Sequence, residues 1–196
     1  ALISDISKTP VIEVILAHLH ASIPAAIVFA VSLYFVARLK GEDHGWTAER
    51  AGATPKSATE IAGAAAFIVF RIAQNSLKNM RQARFELPAG ATYFAFLAEF
   101  LAFLTLIADR IAHGRGDEPW RIEFTTALAN RVGAFLADNE SSLLGVDTPE
   151  EVKRRFVALV NERSADYSDC RWNAAGPDYA FLRCLGHRVA EVMAGN

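Results

Sequence analysis

Cysteine is scarce in this 196-residue chain, and so is any surplus of charge. Two cysteines, Cys170 and Cys184, are too few for the disulfide framework of a small secreted domain. A reducing compartment is the simpler expectation, with one bond between them left open. Lys and Arg number 20 against 22 Asp and Glu, and the two signs are interleaved, so no broad electropositive face for nucleic acid is expected. The run Lys153, Arg154, Arg155 follows Glu150 and Glu151 and reads as a solvated helix face. Glycine-rich phosphate loops, a nucleophile elbow and paired catalytic carboxylates are missing too, so the sequence makes no case for an enzyme. No internal repeat or low-complexity tract is present. The stretch around Ile27 to Phe35 alternates like a strand, but it has no visible partner strand to satisfy its backbone.

What remains is helical. Hydrophobic residues make up 52% of the chain, with the excess in roughly the first 110 residues, so the two halves need different explanations. Thr9 and Pro10 start a short helix to about His20, and Ser22 and Pro24 restart the chain into a long apolar helix ending near Lys40. Residues 41–56 turn polar and contain glycine, the mark of a linker. Beyond it, Ser57 and Glu60 have capping-box spacing and open a helix through Phe85, and a second apolar helix covers 91–113. Trp120, Phe124, Leu128, Val132 and Phe135 recur at helical spacing. Thr148, Pro149 and Glu151 cap a helix that turns Val152, Phe156, Leu159 and Val160 inward. Pro177 is expected to open the last helix, with Phe181, Leu185, Val189 and Val192 on one side. The fold class is therefore all-α. The expected organisation is an N-terminal helical segment over 1–40, a polar linker over 41–56 and a bundle of about five helices over 57–196.

Residues 21–37 are about 17 in number and uncharged, the lower limit for crossing roughly 30 Å of hydrocarbon. Their eight large apolar side chains favour insertion by about 3 to 4 kcal/mol before the two serines and the proline are counted. The second candidate, 92–108, has Glu99 at its middle, where a charge costs about 2.5 to 3.5 kcal/mol and nearly cancels the gain. One span through 21–37 is thus preferred, with 91–113 as the core of the soluble part. Arg38, Lys40, Arg50 and Lys56 follow the span against Lys8 before it, which places the C-terminal domain in the cytoplasm. A removed signal peptide is not expected, since no small-residue cleavage site follows the apolar run. The alternative is a cytoplasmic soluble protein with 21–37 as a core helix.

Glu99 is the residue most out of place. Ala95, Ala102 and Leu106 share its face, then Asp109 and His113, so a buried carboxylate needing a partner is expected there, paired with Arg71 or Arg131. Glu99, Asp109 and His113 lack the repeated Glu-x-x-His of di-iron bundles. His18 and His20 stand two apart at a helix junction and point in different directions, and Cys184 and His187, three apart, share a face without a fourth ligand. No metal centre and no cofactor are expected from them. Two functions fit: a membrane-anchored interaction or assembly protein with a protein partner or a second copy of itself, or a soluble binder of an apolar ligand. In the second, Tyr93, Phe94, Phe96, Phe100 and Phe103 would line a cavity between helices.

Overall fold

The computed structural model describes residues 56–82, 87, 89–145, 148–173 and 176–194. The expected helices of 1–40, the linker, and His18 and His20 lie outside the described residues.

The described chain is all-α, and each helix starts where its local chemistry directs. Helix α1 (Ala58–Gln82) opens on a reciprocal capping box. The Ser57 N–H donates to Glu60 Oε2 at 2.8 Å, and the Glu60 N–H donates to Ser57 Oγ at 3.2 Å. Helix α2 (Ala91–Ala112) follows Gly90, whose φ of 93° suits a residue without a side chain. Asp117 caps α3 (Glu118–Leu144) by accepting the Trp120 N–H at 3.0 Å, with Pro119 in the first turn. Gly145 ends that helix in the left-handed conformation, its N–H donating to the Ser141 carbonyl at 3.0 Å. Thr148 and Pro149 begin α4 (Pro149–Ser168). Pro177 does not open the last helix. It belongs to a two-residue antiparallel ribbon, β1 (Trp172–Asn173) with β2 (Gly176–Pro177), which the sequence pattern is too short to announce. Helix α5 (Tyr179–Ala194) starts two residues later, capped by Asp178, which accepts the Phe181 N–H at 3.0 Å.

Helix α2 is the hub: α1, α3, α4 and α5 all pack on it, and every residue from Glu99 to Ala108 is buried. Neighbours on all sides explain why this helix is apolar all round rather than striped. Among the described residues it is the one helix long and apolar enough to cross a bilayer, yet 72% of its most apolar stretch is buried inside the bundle. Buried Ala58, Ala62, Ala65, Ala66 and Ala73 keep α1 slim where it closes on its neighbours. Gly133 does the same between α3 and α4, since a Cβ there would stand 3.2 Å from the Phe156 ring and 3.3 Å from Lys153 Cγ. The far end of α2 is latched by Arg110, which donates to the last carbonyls of α4, Tyr167 O at 2.9 Å and Ser168 O at 3.3 Å.

Candidate functional site

Helix α4 buries one narrow stripe: Val152, Phe156, Val160, Arg163 and Tyr167, at steps of four, four, three and four. An arginine thus stands where the stripe calls for an apolar residue. Helix α3 repeats the device, its stripe of Leu128, Val132 and Leu136 ending one turn later on buried Glu140. Both stripes face α2, where Glu99 lies 7% exposed.

Arg163 grips Glu99 with two parallel bonds. Nη2 donates to Oε1 at 2.6 Å and Nε donates to Oε2 at 2.9 Å, the fork geometry a planar guanidinium offers a carboxylate. Its remaining nitrogen, Nη1, donates to Glu162 at 2.7 Å and Asp166 at 3.1 Å. The bond to Glu99 raises the Arg163 pKa, so the guanidinium stays charged. Asp166 also accepts from Arg188 of α5 at 2.8 Å, and Arg188 donates to Glu191 at 2.9 Å. Alternating charge therefore runs from the centre of α2 to the surface of α5. Glu140 has a separate partner, Arg155 of α4, which donates to Oε1 from a side chain that is 52% exposed.

Glu99 and Glu140 share a cleft of about 450 Å³ between α2, α3 and α4, with Val192 of α5 on one wall. Phe94, Leu136, Phe156 and Leu159 supply its apolar surface, and Ala91, Ala95 and Ala98 leave room along α2. Its size falls within the roughly 300 to 1,000 Å³ typical of small-molecule sites.

The residues singled out in the sequence are distributed unevenly around this cleft. Glu99 is at it, but its partner is Arg163, and neither Arg71 nor Arg131 is buried. Those two arginines are exposed and lie over the rings of Phe67 and Phe135 on their own helices, at 5.8 Å and 5.3 Å. The physical reason is register: each falls on the solvent side of its helix, where a cation is hydrated. Phe96, Phe100 and Phe103 are buried and do not line this cleft, and other aromatics fill the space beside Phe103. Phe103 stands 6.2 Å from Phe100, 6.0 Å from Tyr167 and 5.5 Å from Phe181, and Trp172 covers Phe181 at 6.0 Å. Tyr93 sits half-buried against Phe94, under Arg81 at 5.1 Å. Of the expected aromatics, Phe94 reaches the cleft.

Cys184 is half-buried and hydrogen-bonded to Tyr167, whereas His187 is exposed. Burial raises the pKa of Tyr167, Cys184 and Cys170, which keeps the phenol and both thiols protonated near neutrality. Both cysteines are free thiols. Among the described residues no three His, Cys, Asp or Glu side chains gather as a metal site would require.

Arg163, Glu140 and Arg155 were not selected from the sequence. The signal for the first two was there, in the positions that continue each apolar stripe, and it needed the helix registers to be followed through their charged residues. Comparison with family models, with curated proteins and with solved structures gives no match.

Proposed function

We propose that this chain is a membrane-anchored helical module: residues 21–37 hold it in a bilayer, and the five-helix bundle works in the cytoplasm as a binding and assembly unit. The observation that carries the reading is the burial of α2. The described helix able to span a membrane is occupied as the centre of the bundle, so the insertable stretch still to be accounted for is 21–37. Flanking Arg38, Lys40, Arg50 and Lys56 support the cytoplasmic orientation. Fractionation of cells making the full chain tests it. Native protein is expected in the membrane fraction, resistant to high salt and released by detergent. Val31→Lys places a charge costing about 2.5 to 3.5 kcal/mol at the centre of the stretch and should move the protein to the soluble fraction. Native protein that stays soluble without detergent overturns the anchor.

The cleft at Glu99 and Glu140 favours a second reading, in which the bundle takes an apolar small molecule. Its walls are Phe94, Leu136, Phe156 and Leu159 rather than the stacked aromatics of the core. Saturable uptake of a medium-chain alcohol by the full chain tests this reading.

A further inference from the structure

Resting on the first reading, which puts α1 beside a bilayer, we propose that the outward face of α1 lies on the anionic surface of that membrane. Residues 38–57 alone separate the anchor from the start of α1, so the anchor holds the bundle by its α1 end and keeps this face close to lipid. One edge of the face is apolar. Phe67 stands 56% exposed, and Ile61, Ile68 and Ile72, on the adjoining strip of the helix, are covered only in part. They run into a groove of about 50 Å³ between α1, α2 and α3, walled by Ile111 and Trp120. Small-molecule sites start at roughly 300 Å³, so the groove extends the apolar strip rather than enclosing a ligand.

The other edge is basic. After its capping residue Glu60, α1 carries Arg71, Lys78 and Arg81 and no acid, in a chain whose net charge is -2. Among the described residues no carboxylate pairs with any of the three, and Arg71 and Arg81 lie over the rings of Phe67 and Tyr93 instead. Exposed apolar side chains flanked by unpaired cations characterise a helix in the headgroup layer of an anionic bilayer: the ring and the isoleucines enter the acyl boundary while the cations stay at the phosphates. Each cation at such a surface is worth about fivefold in binding. Helix α4 gives the contrast, since its exposed Arg154 and Arg155 meet Glu151 and Glu140, and none of its large apolar residues is exposed.

Photolabelling tests the placement. The purified full chain is reconstituted into phosphatidylcholine vesicles, with or without phosphatidylglycerol, that also contain a phospholipid bearing a diazirine beside its glycerol, and labelled peptides are read by mass spectrometry. Adducts are expected within 61–72 of α1, about fivefold or more abundant when phosphatidylglycerol is present, with the exposed face of α4 unlabelled and 21–37 labelled alike in both lipids. Arg71→Glu combined with Lys78→Glu, both at exposed positions, should erase the gain from phosphatidylglycerol and leave the labelling of 21–37 unchanged. Labelling confined to 21–37 overturns the docking and leaves the anchor standing. Labelling of α1 without 21–37 overturns the anchor and keeps the docked face, and with neither labelled both fall. Equal labelling of α1 and α4, or labelling of α1 indifferent to phosphatidylglycerol, overturns the docking. So does a lipid-free α1 that cross-links to a second copy of the chain. The comparison of the two lipid compositions on the unaltered chain needs no variant to fold.

Discussion

The two flanks of α2 are built on opposite principles. Toward α1 the bundle is dry: the buried positions of α1 are mainly alanine with Val69, Phe70, Leu77 and Met80, and buried Ser76 satisfies itself on the carbonyl of Ile72 in its own helix. Toward α4 and α5 it carries a forked ion pair, Tyr167 hydrogen-bonded to Cys184, and a chain of charge leading to the surface. Small side chains let helices approach closely, and stability then depends on volume. Long charged side chains need room and partners, so the flank that uses them also borders the cleft. The difference teaches where polar chemistry sits in this fold: on the charged side, where polar groups are already desolvated.

The contrast breaks most directly at Glu99. Glu99→Gln strands Arg163 inside the bundle and should cost about 3 to 5 kcal/mol, toward the lower figure because Glu162 and Asp166 remain on Nη1. Exchanging both members at once for apolar side chains, Glu99→Leu with Arg163→Met, should cost much less, since a buried pair replaced together by apolar groups is often neutral. Denaturant midpoints of Glu99→Gln and of the double variant check both statements. If Glu99→Gln melts with the native protein, the pair contributes nothing and the flanks do not differ as described.

On the dry flank the corresponding stress is volume. Ala66 is 0% exposed, and Ala66→Leu forces extra methylenes into a close-packed contact at about 1 to 3 kcal/mol. Its effect on the denaturant midpoint should not depend on salt or on pH, because no charge is gained or lost. A smaller effect is expected at the edge between the flanks, where the Thr125 hydroxyl donates to Asp109 at 2.6 Å. Thr125→Ala should cost about 1 kcal/mol, the ordinary worth of one part-buried hydrogen bond.

The smallest effect is a pH dependence confined to the charged flank. Tyr167 and Cys184 have ordinary values of 10.0 and 9.0, and burial raises both in the folded chain. The fold therefore prefers the protonated forms: their contribution is intact below about pH 9 and is lost as pH rises from there toward the folded values. Melting temperature should fall above that point, and Tyr167→Phe should flatten the fall while Ala66→Leu leaves its slope alone. An unchanged slope in Tyr167→Phe would mean that the phenol is not the group responsible.

Much of the bundle was legible because its signals are local. Capping boxes at Ser57 and Thr148, proline in the first turn after Asp117 and Thr148, and glycine near helix ends act within a few residues, so they can be read without knowing the fold. Apolar recurrence gave the inward faces of α3, α4 and α5 for the same reason, and an uninterrupted apolar helix with one carboxylate at its middle already implied that Glu99 needs a cation. Which cation it meets was not legible. Arg71, Arg131 and Arg163 are alike as residues, and the choice depends on how α4 is rotated and set against α2, 64 residues away in the chain. The aromatics of α2 were equally undetermined: Phe100 and Phe103 became filled core because Tyr167, Phe181 and Trp172 arrive from later elements. The chain alone thus determined where α1 and α4 begin, which faces turn inward and that a charge is buried; the start of α5 after the ribbon was decided by the fold. Only tertiary packing decided the partner of that charge and the place of the cleft, because both depend on contacts between residues far apart in sequence.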